Sequence, residues 1–252
     1  MSLIENTEKQ FINPQAPYQP RLTDLEYELL KQGRFDDLEN SVRSTLGEGR
    51  LARCGRLCID RFALIEKALS SEIPHLSFLD LGCANGMFCI ALKALGASRV
   101  IGTDNDEHTH TLKIDIPHCL EQAKEDTGKF KLEIEFLDLN LIELIQTHQP
   151  HLESDVVMAL SVFHHLFLGY GYLPPGSPTM VLGKKTDLFF KWVKTHCRKY
   201  LLFETHEEIF ADWGAARIAD NLTAVKIFES VRCLGSTLGF DGKARVLWLC
   251  SP

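Results

Sequence analysis

A short stretch in the middle of the chain brings three local patterns into direct succession: FLDLGCANGMFCIAL, residues 78–92. Its first part is apolar apart from Asp80, which is typical of a buried strand. Gly82 and Gly86 then permit positive φ angles and a close approach of a ligand to the backbone. The apolar residues that follow recur at helical spacing. A glycine turn between a strand and a helix presents a ligand to the strand's carboxyl end and to the helix N-terminus.

Strand-like and helix-like patterns alternate along the rest of the chain. Strands are predicted at residues 76–81, 99–103, 131–137, 155–160 and 200–203. The intervening and following helices are predicted at residues 87–95, 107–125, 141–147, 186–197 and about 212–222. Two late strands, 224–230 and 244–250, are joined by a short link and can pair antiparallel. The alternation predicts an α/β fold with a mainly parallel sheet.

The N-terminal part, residues 1–70, is predicted to be an arm and a helical cap on a main domain at residues 71–252. Within it, 50–70 reads as an amphipathic helix. Opposite its apolar side we place a row of arginines: Arg50, Arg53, Arg56 and Arg61. A solvated helix face explains such a row. The alternative is a basic patch beside the ligand, in which Arg50 and Arg53 contact a carboxylate or phosphate of the substrate.

The composition bounds the class of protein. With 252 residues, 45% of them hydrophobic and 24% charged, the chain can form one large domain with a full core. Its formal net charge of -7 argues weakly against a nucleic-acid binder. No secretory signal and no apolar run near about 20 residues is visible, and the cysteines lack zinc-site spacing. We therefore expect a cytoplasmic protein without a membrane span.

Polar side chains stand where almost every predicted parallel strand ends: Asp80, Asp104, Asp138, Ser161 and Glu204. Each one alone can be a helix N-cap or a solvated loop residue. In an open parallel sheet, however, these ends meet at the ligand site. Together with the glycine turn, the five side chains are predicted to form a ring around a ligand.

The pair Asp80 and Asp104 indicates which ligand this is. Asp80 directly precedes the turn, where an acid repels a pyrophosphate and suits a cationic amino group. Asp104 lies about twenty residues beyond the turn, which is the spacing of an acid that binds ribose hydroxyls. Asp138 can accept a hydrogen bond from an adenine amino group. The motif also lacks the third glycine of the dinucleotide fingerprint, which disfavours a dehydrogenase, the second interpretation.

Three segments resemble the class I S-adenosylmethionine-dependent methyltransferases: LDLGCANGMFCIALKALGASRVIGTDND, EFLDLN and SDVVMALSVFHHL. The resemblance covers residues 76–205 in family order, and the last two strands fit the family's reversed C-terminal hairpin. It implies a Rossmann-like three-layer α/β sandwich. Its sheet would have seven strands, mainly parallel with a C-terminal antiparallel strand, beside the N-terminal helical cap. Ala84 stands where the family has its middle glycine.

The resemblance also implies a site for S-adenosylmethionine. The glycine turn would line the methionine part, with Asp80 reaching its amino group, and Asp104 would take the ribose hydroxyls. Residues 105 and 106 would flank the adenine, and 138 and 139 would lie at its amino edge. The predicted cofactor-binding residues are Asp80, Gly82, Cys83, Ala84, Asn85, Gly86, Asp104, Asn105, Asp106, Asp138, Leu139, Leu160 and Ser161.

The transferable methyl group would point to the segment SVFHHL after the fourth strand. The family's Asp/Asn-Pro-Pro-aromatic motif for amino-group acceptors is absent there, so methylation of a base amine or a glutamine amide is less expected. His164 or His165 is instead a candidate general base, and Glu204 completes the predicted catalytic set. The alternative is a histidine pair at a helix start, with one ring buried and one solvated.

A long segment rich in glycine, proline and aromatic residues follows the histidines. Segments of this length are often lids or binding loops, so Tyr170 and Tyr172 are predicted to face the acceptor. His206, after the fifth strand, is a further candidate for substrate contact. With Glu204 and one of the two histidines it can also be combined into a divalent metal site, but ligand types alone are weak support. We therefore predict no metal.

The sequence thus favours methyl transfer from S-adenosylmethionine to a small-molecule hydroxyl or a similar nucleophile. The alternative acceptor is an RNA end, at a phosphate or a ribose, because SVFHHL and LLFET distantly resemble segments of RNA 5′-phosphate methyltransferases. The acidic net charge favours the small molecule. A third interpretation is a regulatory protein that binds the cofactor without turnover, for which Ala84 and the absent Pro-Pro motif leave room.

Overall fold

The computed structural model describes residues 22–46, 59–105, 119–163, 182–204, 228–238 and 244–251. Within these ranges the strands are β1 (Ser77–Leu81), β2 (Arg99–Asp104), β3 (Glu135–Asp138), β4 (Ser154–Leu160), β5 (Cys197–Glu204), β6 (Ser230–Leu238) and β7 (Ala244–Ser251). The helices are α1 (Asp24–Lys31), α2 (Phe35–Leu46), α3 (Ile59–Leu69), α4 (Met87–Ala94), α5 (Cys119–Phe130), α6 (Leu141–Leu144) and α7 (Leu182–His196). Short 3-10 turns precede β1 and β4, at Ile73–His75 and Pro150–Leu152.

The strands form one sheet in the order β3-β2-β1-β4-β5-β7-β6. The first five strands are parallel to their neighbours, and β7 runs antiparallel to both β5 and β6. The register brings the carboxyl ends of the parallel strands to the same edge of the sheet, since Asp104 lies beside Asp138 and Leu160 lies beside Glu204. The predicted α/β class and seven-stranded, mainly parallel sheet are confirmed.

Helices cover both faces of the sheet and make a three-layer arrangement. Successive strand residues point to opposite faces, as the pleat requires. In β1, Phe78 joins a core formed with α1 to α5, whereas Leu79 joins a second core with α6 and α7. The N-terminal helices contribute Leu30 and Phe62 to the first of these cores, so they pack on the sheet rather than on each other alone. The division of the chain at residue 70 stays a prediction.

The last strand pair differs from the prediction. The predicted end of the sixth strand at residue 230 is wrong, because β6 begins at Ser230 and runs to Leu238, through most of the link predicted at 232–243. Glycine weakens a strand pattern, and Gly235 lies at an irregularity in the pairing of β6 with β7. A Cβ built there would lie 2.9 Å from Leu64 of α3, so the bare glycine lets the helix approach the strand.

Other boundaries shift by a few residues. β3 starts at Glu135 rather than 131, because Lys131 has a positive φ of 54° in the turn that follows α5. α7 starts at Leu182, four residues before its predicted start. Residues 50–58 of the helix predicted at 50–70, residues 107–118 of the helix predicted at 107–125, the helix predicted at 212–222 and the strand residues 224–227 lie outside the described residues. None of the described helices combines the length and the apolar character needed to cross a bilayer.

The start of α4 offers a test of the packing around the turn. Gly86 has a φ of 72°, and a Cβ built on it would lie 2.7 Å from the Phe136 ring. We expect Gly86→Ala to lower the free energy of unfolding by about 2–5 kcal/mol, from left-handed strain and overpacking. Urea denaturation measures this. Gly128→Ala is the control, because Gly128 has open space in α5 and alanine is the better helix former by about 1 kcal/mol. Equal losses in both variants would contradict the argument.

Candidate active site

The glycine turn that joins β1 to α4 is fixed on the neighbouring strand β2. The N–H groups of Gly82 and Cys83 both donate to the carbonyl oxygen of Thr103, at 2.8 and 2.9 Å. Gly82, Ala84 and Gly86 have positive φ angles of 72°, 49° and 72°. The N–H of Gly86 donates back to the carbonyl of Cys83 at 2.9 Å. The turn therefore contains three residues with left-handed backbone angles. It is hydrogen-bonded to β2 at its start and within itself at its end.

Asp104 ties this turn to the ends of β2 and β3. Its Oδ2 accepts the N–H of Ala84 at 2.6 Å, and its Oδ1 accepts the N–H of Asn105 at 2.7 Å. Its carbonyl oxygen accepts the N–H of Leu139 at 2.8 Å. Asp138, exposed at the end of β3, lies beside Asp104 in the sheet register. The structure thus brings together predicted cofactor residues from three strands.

The left-handed conformation of Ala84 explains how the turn works without the family's middle glycine. A left-handed alanine costs roughly 1–2 kcal/mol relative to the usual backbone. A hydrogen bond to a charged acceptor, such as the one from Ala84 to Asp104, contributes about 1.5–3 kcal/mol. The two energies are of similar size, so the Asp104 carboxylate offsets the strain that the Cβ of Ala84 introduces.

Asp80 lies beneath the turn, only 2% exposed. The thiol of Cys89 donates to its Oδ2 at 3.6 Å. The pKa of Asp80 is raised from 3.8 to about 7, chiefly by burial; the Cys89 hydrogen bond and the charge of Arg61 lower it, and the charge of Asp104 raises it. Near neutral pH the side chain is therefore divided between its acid and its carboxylate. A cation bound beside it would favour the carboxylate.

A second buried group, here called the Glu204 cluster, comprises Arg61, Ser161, Glu204 and Arg245. Glu204, the last residue of β5, is fully buried. Its Oε2 lies 3.1 Å from Nη1 of Arg61 and accepts the Ser161 hydroxyl at 2.7 Å. Its Oε1 lies 3.6 Å from Nε of Arg245. Nη1 of Arg245 donates to Oγ of Ser161 at 2.7 Å, which closes the cluster at the carboxyl ends of β4 and β5.

The solvated-face interpretation of the arginine row is wrong for Arg61, and Arg245 was not among the predicted site residues. Arg61 is 4% exposed rather than on a solvated face. It precedes Ile65 and Leu69 by four and eight residues, a spacing that puts all three on one side of α3. Arg245 shares a strand face with Leu247 by the period of two. Both spacings can be seen in the sequence and place the arginine on a buried face. Arginine is nevertheless usually predicted to be exposed, because it is rarely buried without a partner.

The predicted catalytic and substrate residues are only partly described. Glu204 is buried in its cluster, and its role as a catalytic group stays a prediction. Leu160 is buried at the end of β4, beside Glu204 in the register. The other predicted residues of the acceptor side, and one of the adenine side, lie outside the described residues: Arg50, Arg53, Asp106, His164, His165, Tyr170, Tyr172 and His206.

Metal binding also stays open to test. Within the described ranges, no three histidine, cysteine, aspartate or glutamate side chains are grouped so that they would hold a metal ion. The histidines of the metal alternative, His164, His165 and His206, fall outside those ranges. The prediction that the site uses no metal is therefore untested.

Comparison with known proteins adds to this geometry. No family model matches the chain. A ribosomal protein L11 methyltransferase of Clostridium botulinum (strain Eklund 17B / Type B) is 33% identical over 106 residues, which are 41% of this chain and 27% of that protein. The protein of the same name from Alteromonas mediterranea is 37% identical over 88 residues, 35% of this chain and 25% of that protein. The chain spans between 25% and 30% of the length of such relatives.

Solved structures share the fold over a longer part of the chain. WbdD, in complex with the kinase inhibitor LY294002, matches 84% of this chain and 47% of its own, with a TM-score of 0.55 and 22% identity. Magnesium protoporphyrin IX methyltransferase of Synechocystis PCC 6803, with bound SAH, matches 100% of this chain and 95% of its own, with a TM-score of 0.52 and 15% identity. At these identities the likeness shows the fold.

The fold and the related segment are both similar to those of class I S-adenosylmethionine-dependent methyltransferases. This is the family that the glycine turn and the strand ends resemble, so that prediction is confirmed. The relatives in sequence all carry the name ribosomal protein L11 methyltransferase, but they share only part of their length with this chain.

The buried Asp80 predicts opposite effects of pH on stability and on ligand binding. Because folding raises its pKa, the folded protein binds the extra proton, and the stability from this group is lost as pH rises from about 4 through about 7. Affinity for a ligand with an ammonium group should instead rise as the carboxylate forms, by roughly twentyfold between pH 5.5 and 7.5. Denaturation and calorimetry with S-adenosylhomocysteine measure the two slopes. Asp80→Asn is the comparison, and unchanged slopes in it would contradict the assignment.

The burial of Arg61 predicts a large loss on truncation. Arg61→Ala leaves Glu204 buried without one of its two guanidinium partners, which typically costs about 3–5 kcal/mol of unfolding free energy. Arg99→Ala is the matched control, since Arg99 pairs with Glu135 at 3.2 Å with both side chains more than 40% exposed. Exposed pairs contribute about 1 kcal/mol or less. Similar losses for the two variants in urea would contradict the buried assignment.

Proposed function

We propose that this chain binds S-adenosylmethionine and transfers its methyl group to an acceptor nucleophile. The observation that carries the proposal is the hydrogen bond from Ala84 to Asp104, 2.6 Å long. It joins the acid that would bind the ribose hydroxyls to the turn that would bind the methionine part. The two halves of the cofactor site are therefore held as one unit by the strands themselves.

The charges at the strand ends support a cationic ligand. Asp80, Asp104 and Asp138 stand at the ends of the three neighbouring strands β1, β2 and β3. Carboxylates in this position repel a pyrophosphate and attract ammonium and sulfonium groups. Asp80 in particular lies buried under the turn, where an amino group of the ligand would stabilise its charged form.

When bound, S-adenosylmethionine supplies a methyl group that an acceptor takes in line with the breaking carbon–sulfur bond, whose electron pair returns to the sulfur. The chain's own contribution is to fix the donor and the acceptor in line at close range, which alone can supply much of the rate. The fixed turn and the end of β4 are the rigid parts that would do so. A hydroxyl acceptor also loses a proton, for which His164 or His165 is the proposed base.

For the acceptor we propose a small molecule with a hydroxyl or a similar nucleophile. The net charge of -7 supports this over an RNA end, since phosphate contacts need clustered lysine and arginine. The name of the relatives points to a ribosomal protein as their substrate, but this chain spans less than a third of their length. A protein acceptor is therefore a competing outcome of the test.

Binding is tested by calorimetry with S-adenosylmethionine and S-adenosylhomocysteine. We expect Asp104→Ala to weaken both by tenfold or more, because a hydrogen bond to a charged group contributes about 1.5–3 kcal/mol. Glu135→Ala is the control, since Glu135 is an exposed acid at the other end of β3. If the unaltered protein binds neither ligand, the proposal fails.

Turnover is tested with methyl-tritiated S-adenosylmethionine and a cell extract separated into small-molecule, RNA and protein fractions. Sustained label in the small-molecule fraction supports the proposed acceptor. Label in RNA that is lost on replacing Arg50 and Arg53 supports the RNA end, and label in the protein fraction supports the relatives' type of substrate. Binding without label in any fraction contradicts methyl transfer and supports a protein that binds the cofactor without turnover.

A further inference from the structure

Ser161, the first residue after β4, has an unusual backbone. Its φ is 57°, in the left-handed region that residues with a Cβ rarely adopt. Such a conformation costs of order 1–3 kcal/mol and persists only where the surroundings determine it. Ser161 also begins the segment that, in the proposed function, lies beside the transferred methyl group.

The Glu204 cluster supplies those surroundings from three other elements. The Ser161 hydroxyl donates to Oε2 of Glu204 on β5 and accepts from Nη1 of Arg245 on β7, each at 2.7 Å. Nη1 of Arg61 on α3 lies 3.5 Å from the same hydroxyl. The N–H of Ser161 donates to the carbonyl oxygen of Glu204 at 3.2 Å. The side chain and the backbone of one strained residue are thus both held.

The two residues after Ser161 are fixed in opposite directions. Val162 packs against the glycine turn, because a Cβ built on Gly82 would lie only 2.7 Å from its Cγ2. Phe163 is 1% exposed and lies edge-on to Phe203 and Phe189, with ring centroids 5.0 and 5.1 Å apart. The φ angle of Ser161 therefore determines how Val162 is placed against the glycine turn and Phe163 in the core.

We propose that Arg61, Glu204 and Arg245 are positioning residues: they hold Ser161 so that the segment after β4 meets the cofactor turn at one fixed angle. This rests on the proposed function, since the angle matters only if an acceptor lies beside that segment. Buried ionic groups often stabilise less than apolar residues of the same size. Apolar replacements, however, could not hydrogen-bond to the hydroxyl of Ser161, so we assign the cluster a role in positioning this residue.

The test compares two buried serines at opposite ends of β4. Ser161→Ala removes the hydroxyl that the cluster holds. Ser154→Ala removes a fully buried hydroxyl that donates only to the carbonyl of Leu152, at 3.2 Å, at the amino end of the strand. We expect Ser161→Ala to lower methyl transfer at saturating S-adenosylmethionine by tenfold or more, because small misplacements cost this much. Because the Ser161 hydroxyl is bonded to Glu204 and Arg245, only its backbone is left to contact the cofactor, so binding of S-adenosylhomocysteine should change less than about threefold. Ser154→Ala should leave turnover unchanged.

A second measurement needs no acceptor. Hydrogen exchange followed by mass spectrometry should show faster exchange of residues 161–163 in Ser161→Ala and in Arg245→Lys, which keeps the charge but not the Nη1 donor. Ser154→Ala should leave these residues as they are. Arg245→Lys keeps the test valid if stronger changes to the cluster prevent folding.

The outcomes separate this proposal from the proposed function. If the unaltered protein does not bind the cofactor or does not transfer methyl groups, the proposed function is contradicted. Hydrogen exchange at residues 161–163 still tests whether the Glu204 cluster holds Ser161. Unchanged exchange, or an affinity for S-adenosylhomocysteine that falls in step with turnover, overturns the positioning role. Equal effects of the two serine variants would show that the cluster acts through stability alone.

Discussion

The hydrogen bond from Ala84 to the Asp104 carboxylate is the interaction on which the candidate site depends. The carboxylate accepts the N–H of Ala84 and so holds a left-handed turn that its own sequence would otherwise disfavour. The carbonyl of Thr103, one residue earlier, holds the start of the same turn. Both groups belong to β2, whose place beside β1 is set by the register of the parallel sheet. The ligand edge is therefore shaped by strand pairing rather than by a loop that must find its own conformation.

The sequence predicted the sheet and the acidic side of the site because the signals for them are local. Apolar strand runs, amphipathic helices and the spacing of Asp80, Gly82 and Asp104 can each be read within a short window. Parallel pairing then brings strand ends together without further information. The same reasoning placed Asp138 beside Asp104, where the structure has it. Short sequence patterns therefore predicted the elements whose structure depends mainly on their own residues.

The features that the sequence did not predict depend on partners far along the chain. The extent of β6 was predicted wrongly because Gly235 breaks the strand pattern, and Leu64 of α3 leaves no room for a Cβ there. Arg61 was assigned to solvent because its partner, Glu204, belongs to another element. No window of sequence contains both residues, so the pairing cannot be read from either one. A charged residue in an apolar row is the only local sign of such a contact.

The charge of Arg61 reaches beyond its ion pair. It also lowers the pKa of Asp80, so a helix from the N-terminal part helps to set the protonation of the group beneath the cofactor turn. Cutting the chain at residue 70 would remove this charge and leave Glu204 with the Ser161 hydroxyl and the Arg245 guanidinium. Without this charge one of the influences that lower the pKa of Asp80 would be lost. Helix α3 therefore contributes to the electrostatics of the strand ends as well as to the packing of the core.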